Sequence, residues 1–293
     1  GMASLRFAQP AAATANAGNV TSQGDQAMRA DAARVASGVD GSGVTVGVLS
    51  DSFNCLGGAA ADVMSGDLLS VAVIQEIANC GSATDEGRAM LQIVHDVAPG
   101  ASLAFASAFN GQASFATNIQ TLAASGAKVI VDDVIYFAEP MFQDGIIAQA
   151  VNSVVVGGAA YFSSAGNQGR QSYQSAFRAG TVFAAGAIPS PVLGFFGGTA
   201  HDFDAGGGTE VFQRITLPNG AGFVLSLQWD SPAFSVSGAP GTPNDLDVYL
   251  LNADSTQVVA GSNVNNLVTG DPIELFAFTN HTGATASFNI MIV

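Results

Sequence analysis

Residues 85–101 read D-E-G-R-A-M-L-Q-I-V-H-D-V-A-P-G-A, and their reading decides how the rest of the chain is understood. Thr84 or Asp85 caps a helix that runs through Val94, and V-A-P-G-A closes the block. Glu86 puts a carboxylate at the start of that helix. Working outward, Val44–Leu49 is a short apolar strand that ends close to Asp51. Ala59–Met64 reads as a helical turn and Ser70–Gln75 as another strand. Downstream, strands are expected at Ser102–Ser107 and Lys128–Val134, with a helix over Ser114–Ala124 between them. A helix over Ile146–Val155 then leads to a strand at Ala160–Ser164. Strands alternating with helices imply right-handed crossovers and a parallel sheet covered on both faces.

The flanks read differently. Residues 1–24 are rich in Ala, Gly, Asn and Thr without periodicity, an extended arm before a helix over Gln26–Ala36 capped by Asp25. After about Gly197 helical periodicity gives way to alternation. Phe223, Leu225, Leu227 and Trp229 fall on one face of a strand, and Leu246, Val248 and Leu250 repeat the pattern, as do Phe288, Ile290 and Ile292. Turn clusters such as P-N-G-A-G separate them, so this part reads as an all-β sandwich. The organisation expected is an arm and helix over 1–40, an α/β domain over 41–197 and a β-sandwich over 198–293.

Composition narrows the function. Of 293 residues 48% are hydrophobic and 11% charged, and 23 acidic against 8 basic residues give a net charge of −15. With no basic run to neutralise phosphates, nucleic acid is not an expected partner. Docking on anionic membranes is disfavoured too, and no apolar stretch approaches the ~20 residues that span a bilayer. Few cations would repel one another once the carboxylates neutralise in acid, which fits acid adaptation. Secreted bacterial proteins are often acidic at any working pH, so the composition alone leaves that open. Gly1-Met2 reads as an expression remnant left after removal of a signal peptide. Cys55 and Cys80 are the only cysteines. A bridge between them would close a loop of about 25 residues, worth roughly 3–4 kcal/mol, and would fit a secreted or periplasmic protein. A pair of unlinked buried thiols is the alternative.

Three blocks together resemble the subtilisin-like serine peptidases. G-S-G-V-T-V-G-V-L-S-D-S-F (41–53) is similar to the family's aspartate block. Gly87 with Val97-Ala98-Pro99 is similar to its histidine block, and Ser164-Ala165-Gly166-Asn167 to the segment whose Asn donates to the oxyanion. The resemblance covers about residues 40–190 and implies a subtilisin-like doubly wound parallel sheet. It also implies a polypeptide substrate, no required cofactor, and a jelly-roll-like sandwich of the kind that accompanies many bacterial members. Its implied roles are Asp51 as the partner of the base and Asn167 as an oxyanion donor, worth about 2.7–4 kcal/mol of transition-state stabilisation in such sites.

The departures matter as much. Glu86 stands where the family has its basic imidazole. The related sedolisins use a Glu base, but their partner Asp falls at Met90 here, which leaves Asp51 to fill that role. Asp132 and Asp133 replace a Ser-containing segment that lines the cleft, and Asp133 is a candidate to face Glu86. A strand-end turn or a helix cap would equally account for this pair. His95 lies about 13 Å along the helix from Glu86 and on its opposite face, which makes it a surface or supporting histidine. The nucleophile is missing: Gly198-Thr199-Ala200 carries Ala where Ser belongs. The sandwich is expected to be inserted before a serine block, leaving this chain inactive alone. The alternative is an inactive relative that binds protein or glycan. Asp245 and Asp247, on one face of a strand, could hold a structural calcium with Asp271 or Glu274, or could simply be carboxylates on a wet face. Asn19-Val20-Thr21 and Asn280-His281-Thr282 match glycosylation sequons. Oligomeric state is not legible.

Overall fold

The computed structural model describes residues 20–167, 169 and 171–293. They divide into two compact units. The first runs to Ile135 and resumes over Ile146–Asn167; the second takes Tyr136–Gly145 and Gln168–Val293.

The first unit is mixed α/β. In chain order it contains α1 Gln23–Ala27, α2 Ala30–Ser37, β1 Thr45–Ser50, α3 Ala59–Ser65, β2 Val71–Gln75, α4 Glu86–Val97, β3 Ser102–Ser107, α5 Gln112–Ala124, β4 Ala127–Asp132, α6 Ile146–Val156 and β5 Ala160–Ser163. The five strands form one parallel sheet in the order β2-β3-β1-β4-β5. β1 is central and buried on both faces, so it reads as a continuous apolar run rather than an alternation. Val46 and Val48 pack with Leu103, Phe105 and Leu91 of α4. On the other face Gly47 leaves only enough room for Leu122 of α5, whose methyls lie 3.2 Å from where a Cβ would sit. Gly87 has the same role for α4: a Cβ there would meet the Phe105 ring and the Ser52 carbonyl oxygen.

The second unit contains β6 Ala179–Phe183, β7 Gly198–His201, β8 Gln213–Leu217, β9 Gly222–Gln228, β10 Val248–Leu251, β11 Val258–Ser262, β12 Ile273–Thr279 and β13 Ala286–Ile292. They form a four-stranded sheet β11-β10-β13-β8 and two separate pairs, β12-β9 and β6-β7, all antiparallel. Val248, Leu250, Phe276 and Phe288 sit in one core with apolar residues of β8 and β9. A second core joins Ile188, Phe195 and Ala200 to Tyr249, Leu251 and Met291.

Two expectations are adjusted. The helix over Gln26–Ala36 is two short helices, because Arg29 takes a left-handed conformation (φ 59°) and breaks it. The division between units falls at 167/168 rather than 197/198. Ile188 and Phe195 bury their side chains in the β core. Residues 136–145 also belong with the β unit, where the Phe137 carbonyl accepts from Ser226 and Gln228. These stretches have no period of their own, so composition could not assign them. Asn19 of the first sequon lies outside the described residues.

Candidate active site

Ligands and reactive groups collect at the carboxyl ends of parallel strands, and in the first unit that edge is acidic. β1 leads into Asp51, β2 into Glu76, and β4 ends in Asp132 with Asp133 next. The register brings Ser50 opposite Ser107 and Asp132 opposite Ser163.

Asp51 is 7% exposed. Its carboxylate accepts from the Thr84 amide (2.6 Å), the Thr84 hydroxyl (2.8 Å), the Glu86 amide (2.9 Å) and the Ser52 amide. Burial opposes ionisation, but donation from Thr84, Ser52 and Glu86 outweighs it and holds the carboxyl below its usual range. Asp51 therefore meets Glu86 through the main chain. The expected side-chain pairing of the two carboxyls is not among its hydrogen bonds.

Two further carboxylates, Glu76, which the sequence did not single out, and Asp85, expected only as a helix cap, hold the adjoining loop. Glu76 accepts from the amides of Phe53 and Asn54. Asp85 accepts from the Cys55 amide at 2.7 Å, the Leu56 amide at 3.1 Å and the Ser52 hydroxyl at 2.9 Å, and pairs with Arg88. Asp85 precedes α4 in a left-handed conformation (φ 56°) without capping it through its side chain. The position of Glu76, immediately after a strand, was the available signal. The Cys55–Cys80 disulfide, Cα–Cα 5.3 Å, ties the same loop to the approach to α4. It suggests an extracellular or periplasmic compartment. Among the described residues no helix is long and apolar enough to cross a membrane.

Glu86 has an exposed side chain in the first turn of α4. Its charge acts on Asp133. Burial pushes the Asp133 carboxyl up, the Ser50 hydroxyl opposes this, and the negative charges of Glu86 and Asp132 add to the rise. Asp132 points elsewhere. It is buried and accepts from the Ser163 hydroxyl (2.9 Å) and the Val134 amide (3.1 Å). Burial, and after it the charge of Asp132, drives the Tyr161 phenol far up. Asn167 is exposed, four residues beyond the end of β5. The hydroxyls along this edge are committed: Ser52 to Asp85, Ser107 to the Asp51 carbonyl, and Ser163 to Asp132.

His95 is not a surface residue. It is 5% exposed and shares the buried stripe of α4 with Gly87 and Leu91, at helical spacing. His201 is buried too. Its Nδ1 accepts from the Arg178 amide, Nε2 lies 3.0 Å from the Tyr173 hydroxyl, and the rings of Tyr173, Phe177 and Phe203 surround it. The carboxylate set expected for calcium is not assembled. Asp245 accepts from the Asn266 amide, Asp247 from the Tyr249 hydroxyl and Asp271 from the Ser235 amide. Among the described residues no three His, Cys, Asp or Glu side chains gather in metal-binding reach.

No protein-family model matches the sequence, and no curated protein matches it. Among solved structures, the crystal structure of MycP1 with the N-terminal propeptide removed matches at a TM-score of 0.30 and 17% identity. The match covers 54% of this chain and 52% of that one, so the chain spans about half the length of MycP1. An overlap at that score equates no individual residue of the two chains.

Proposed function

We propose that the carboxyl edge of the parallel sheet is the base-bearing half of a secreted serine endopeptidase of the subtilisin-like kind. Glu86 is the general base. Asp133 is the group that shares a proton with it, and Asp51 is a positioning residue that fixes the first turn of α4 through the Thr84 and Glu86 amides. Asn167 is the oxyanion donor, and the serine comes from a block outside residues 1–293. The observation that carries this reading is that Glu86 is exposed while its charge reaches a half-buried carboxyl that burial already pushes up. Burial first, and then the charge of Glu86, favour the protonated form of Asp133. The matched range for general-base catalysis by a carboxylate lies below that for imidazole.

The test uses the natural gene product including the sequence encoded after Val293. Peptide cleavage should peak in acid with a bell-shaped pH profile. Glu86→Gln, which keeps shape and removes basicity, should abolish turnover and leave the circular-dichroism spectrum unchanged. An enzyme most active above pH 8, or near-normal turnover by Glu86→Gln, contradicts the assignment. A second reading, binding without cleavage, is favoured by the committed hydroxyls of Ser52, Ser107 and Ser163. A reading frame with no Gly-Thr-Ser block after Val293 would select it.

A further inference from the structure

Residues 171–178 carry no helix or strand and lead into β6. Their side chains are exposed, Tyr173 and Phe177 by 50% and 48%. The segment is fastened chiefly at one buried ring. The Tyr173 hydroxyl lies 3.0 Å from Nε2 of His201, and the Arg178 amide donates to Nδ1 at 3.1 Å. The remaining described hydrogen bond from 171–178 to the rest of the chain joins the Asp202 amide to the Arg178 carbonyl, where the β6-β7 pairing begins. Ser175 bonds to the Ala176 carbonyl, and the Arg178 guanidinium to Ser175 and Tyr173, all within the segment. His201, at the end of β7, is 2% exposed, with the rings of Tyr173, Phe177 and Phe203 around it.

One protonation state fits this arrangement. Nδ1 accepts a main-chain N–H, so Nε2 carries the ring proton and donates to the Tyr173 oxygen. A second proton would sit on Nδ1, facing the Arg178 N–H. The imidazolium and the Arg178 guanidinium, whose Nη2 lies 3.2 Å from the Tyr173 hydroxyl, would then converge on one oxygen. The anion beside them is committed elsewhere, since the Asp202 carboxylate accepts from the Asp204 and Glu210 amides. Its charge is outweighed by burial and then by Arg178, which hold the ring below its ordinary value. We propose that His201 is an acid-sensitive latch: residues 171–178 close on the neutral ring and are released when it gains a proton, while the antiparallel sheets stay folded. In the released form the ring regains water and a basicity of about 6.5. Closure is therefore complete above that pH and is lost as pH falls toward the folded value, opening by about tenfold more per pH unit within that window. The core of Val248, Leu250, Phe276 and Phe288 is apolar and has no such dependence. The latch is independent of Glu86 and of peptide cleavage.

Amide hydrogen exchange of the whole 293-residue chain, followed by NMR at pH 7 and pH 5 and corrected for the intrinsic rate, tests the latch. The Arg178 amide should be protected at pH 7 and lose protection by about tenfold or more at pH 5. The amides of β10, a strand paired on both sides, should keep theirs. His201→Asn keeps an acceptor close to the place of Nδ1 and gains no proton, so it should hold the Arg178 amide at both pH values. His201→Phe fills the ring cluster without an acceptor and should leave that amide unprotected at both. Should these variants unfold, Tyr173→Phe, at a half-exposed residue, should weaken protection at pH 7 and retain its pH dependence. Full protection of the Arg178 amide at pH 5, equal loss along β10, or unchanged pH dependence in His201→Asn overturns the proposal. So does a ring that titrates above 6.5, the result expected if the surrounding aromatic rings favoured the imidazolium.

Discussion

Asp51 shows how one carboxylate can serve a loop and a helix together. Asn would keep one acceptor oxygen and turn an N–H₂ either toward the Thr84 amide and hydroxyl or toward the Ser52 and Glu86 amides. Asp51→Asn should therefore cost about 2–4 kcal/mol at pH 7, measured by urea unfolding. The pH dependence follows from the depressed carboxyl. Its contribution is complete above the unfolded value near 3.9 and is lost only as pH falls through the lower folded value. The wild type should thus hold its stability to about pH 4 and lose it below, with a shallower acid limb in Asp51→Asn. His201 works in the opposite chemical sense. Burial, then the charge of Arg178, lowers its pKa from 6.5, and the Arg178 amide needs Nδ1 unprotonated. Stability from this cage is complete above pH 6.5 and declines as pH falls toward the folded value. An NMR titration should place the ring below 6.5; titration at or above that would contradict the cage. Asp51 was legible as a strand-end acid. That Asp51 would bond to amides was not legible, because main-chain donors contribute nothing to a residue pattern.

Among the elements, the parallel strands and their helices were the most readable. β3 occupies the expected span, and α4 begins at Glu86 and runs three residues past its expected end. Their apolar runs are long and bounded by turn residues, so period and length agree. The second unit was read from three alternating runs that correspond to β9, β10 and β13. β6, β7, β8, β11 and β12 went unread. β6 and β7 are short and carry glycine, and Thr, Gln or Arg interrupt others of the set. Cross-strand partners, not local pattern, give such segments their conformation. The disulfide can be tested at this scale. Replacing Cys55 and Cys80 by Ala should lower stability by about 2–4 kcal/mol. Alkylation without prior reduction should find no free thiol in protein made under oxidising conditions.

For the chain as a whole, a net charge of −15 with 8 cationic residues means that most acids lack an opposite partner. Self-repulsion at neutral pH destabilises the compact state and is screened by salt. The melting temperature should therefore rise with sodium chloride at pH 7, and the salt effect should shrink near pH 4 as carboxylates neutralise. An equal response at both pH values would show that long-range repulsion is unimportant. The loop after β1 carries this surplus of anions to its end point. Five successive amides, from Ser52 to Leu56, donate to Asp51, Glu76 and Asp85. In other proteins a run of main-chain N–H groups is a receptor for phosphate or sulfate. Here the receptor is already occupied by the protein's own side chains, so a free anion would have to displace a tethered one. The loop has its counter-ions built into the chain.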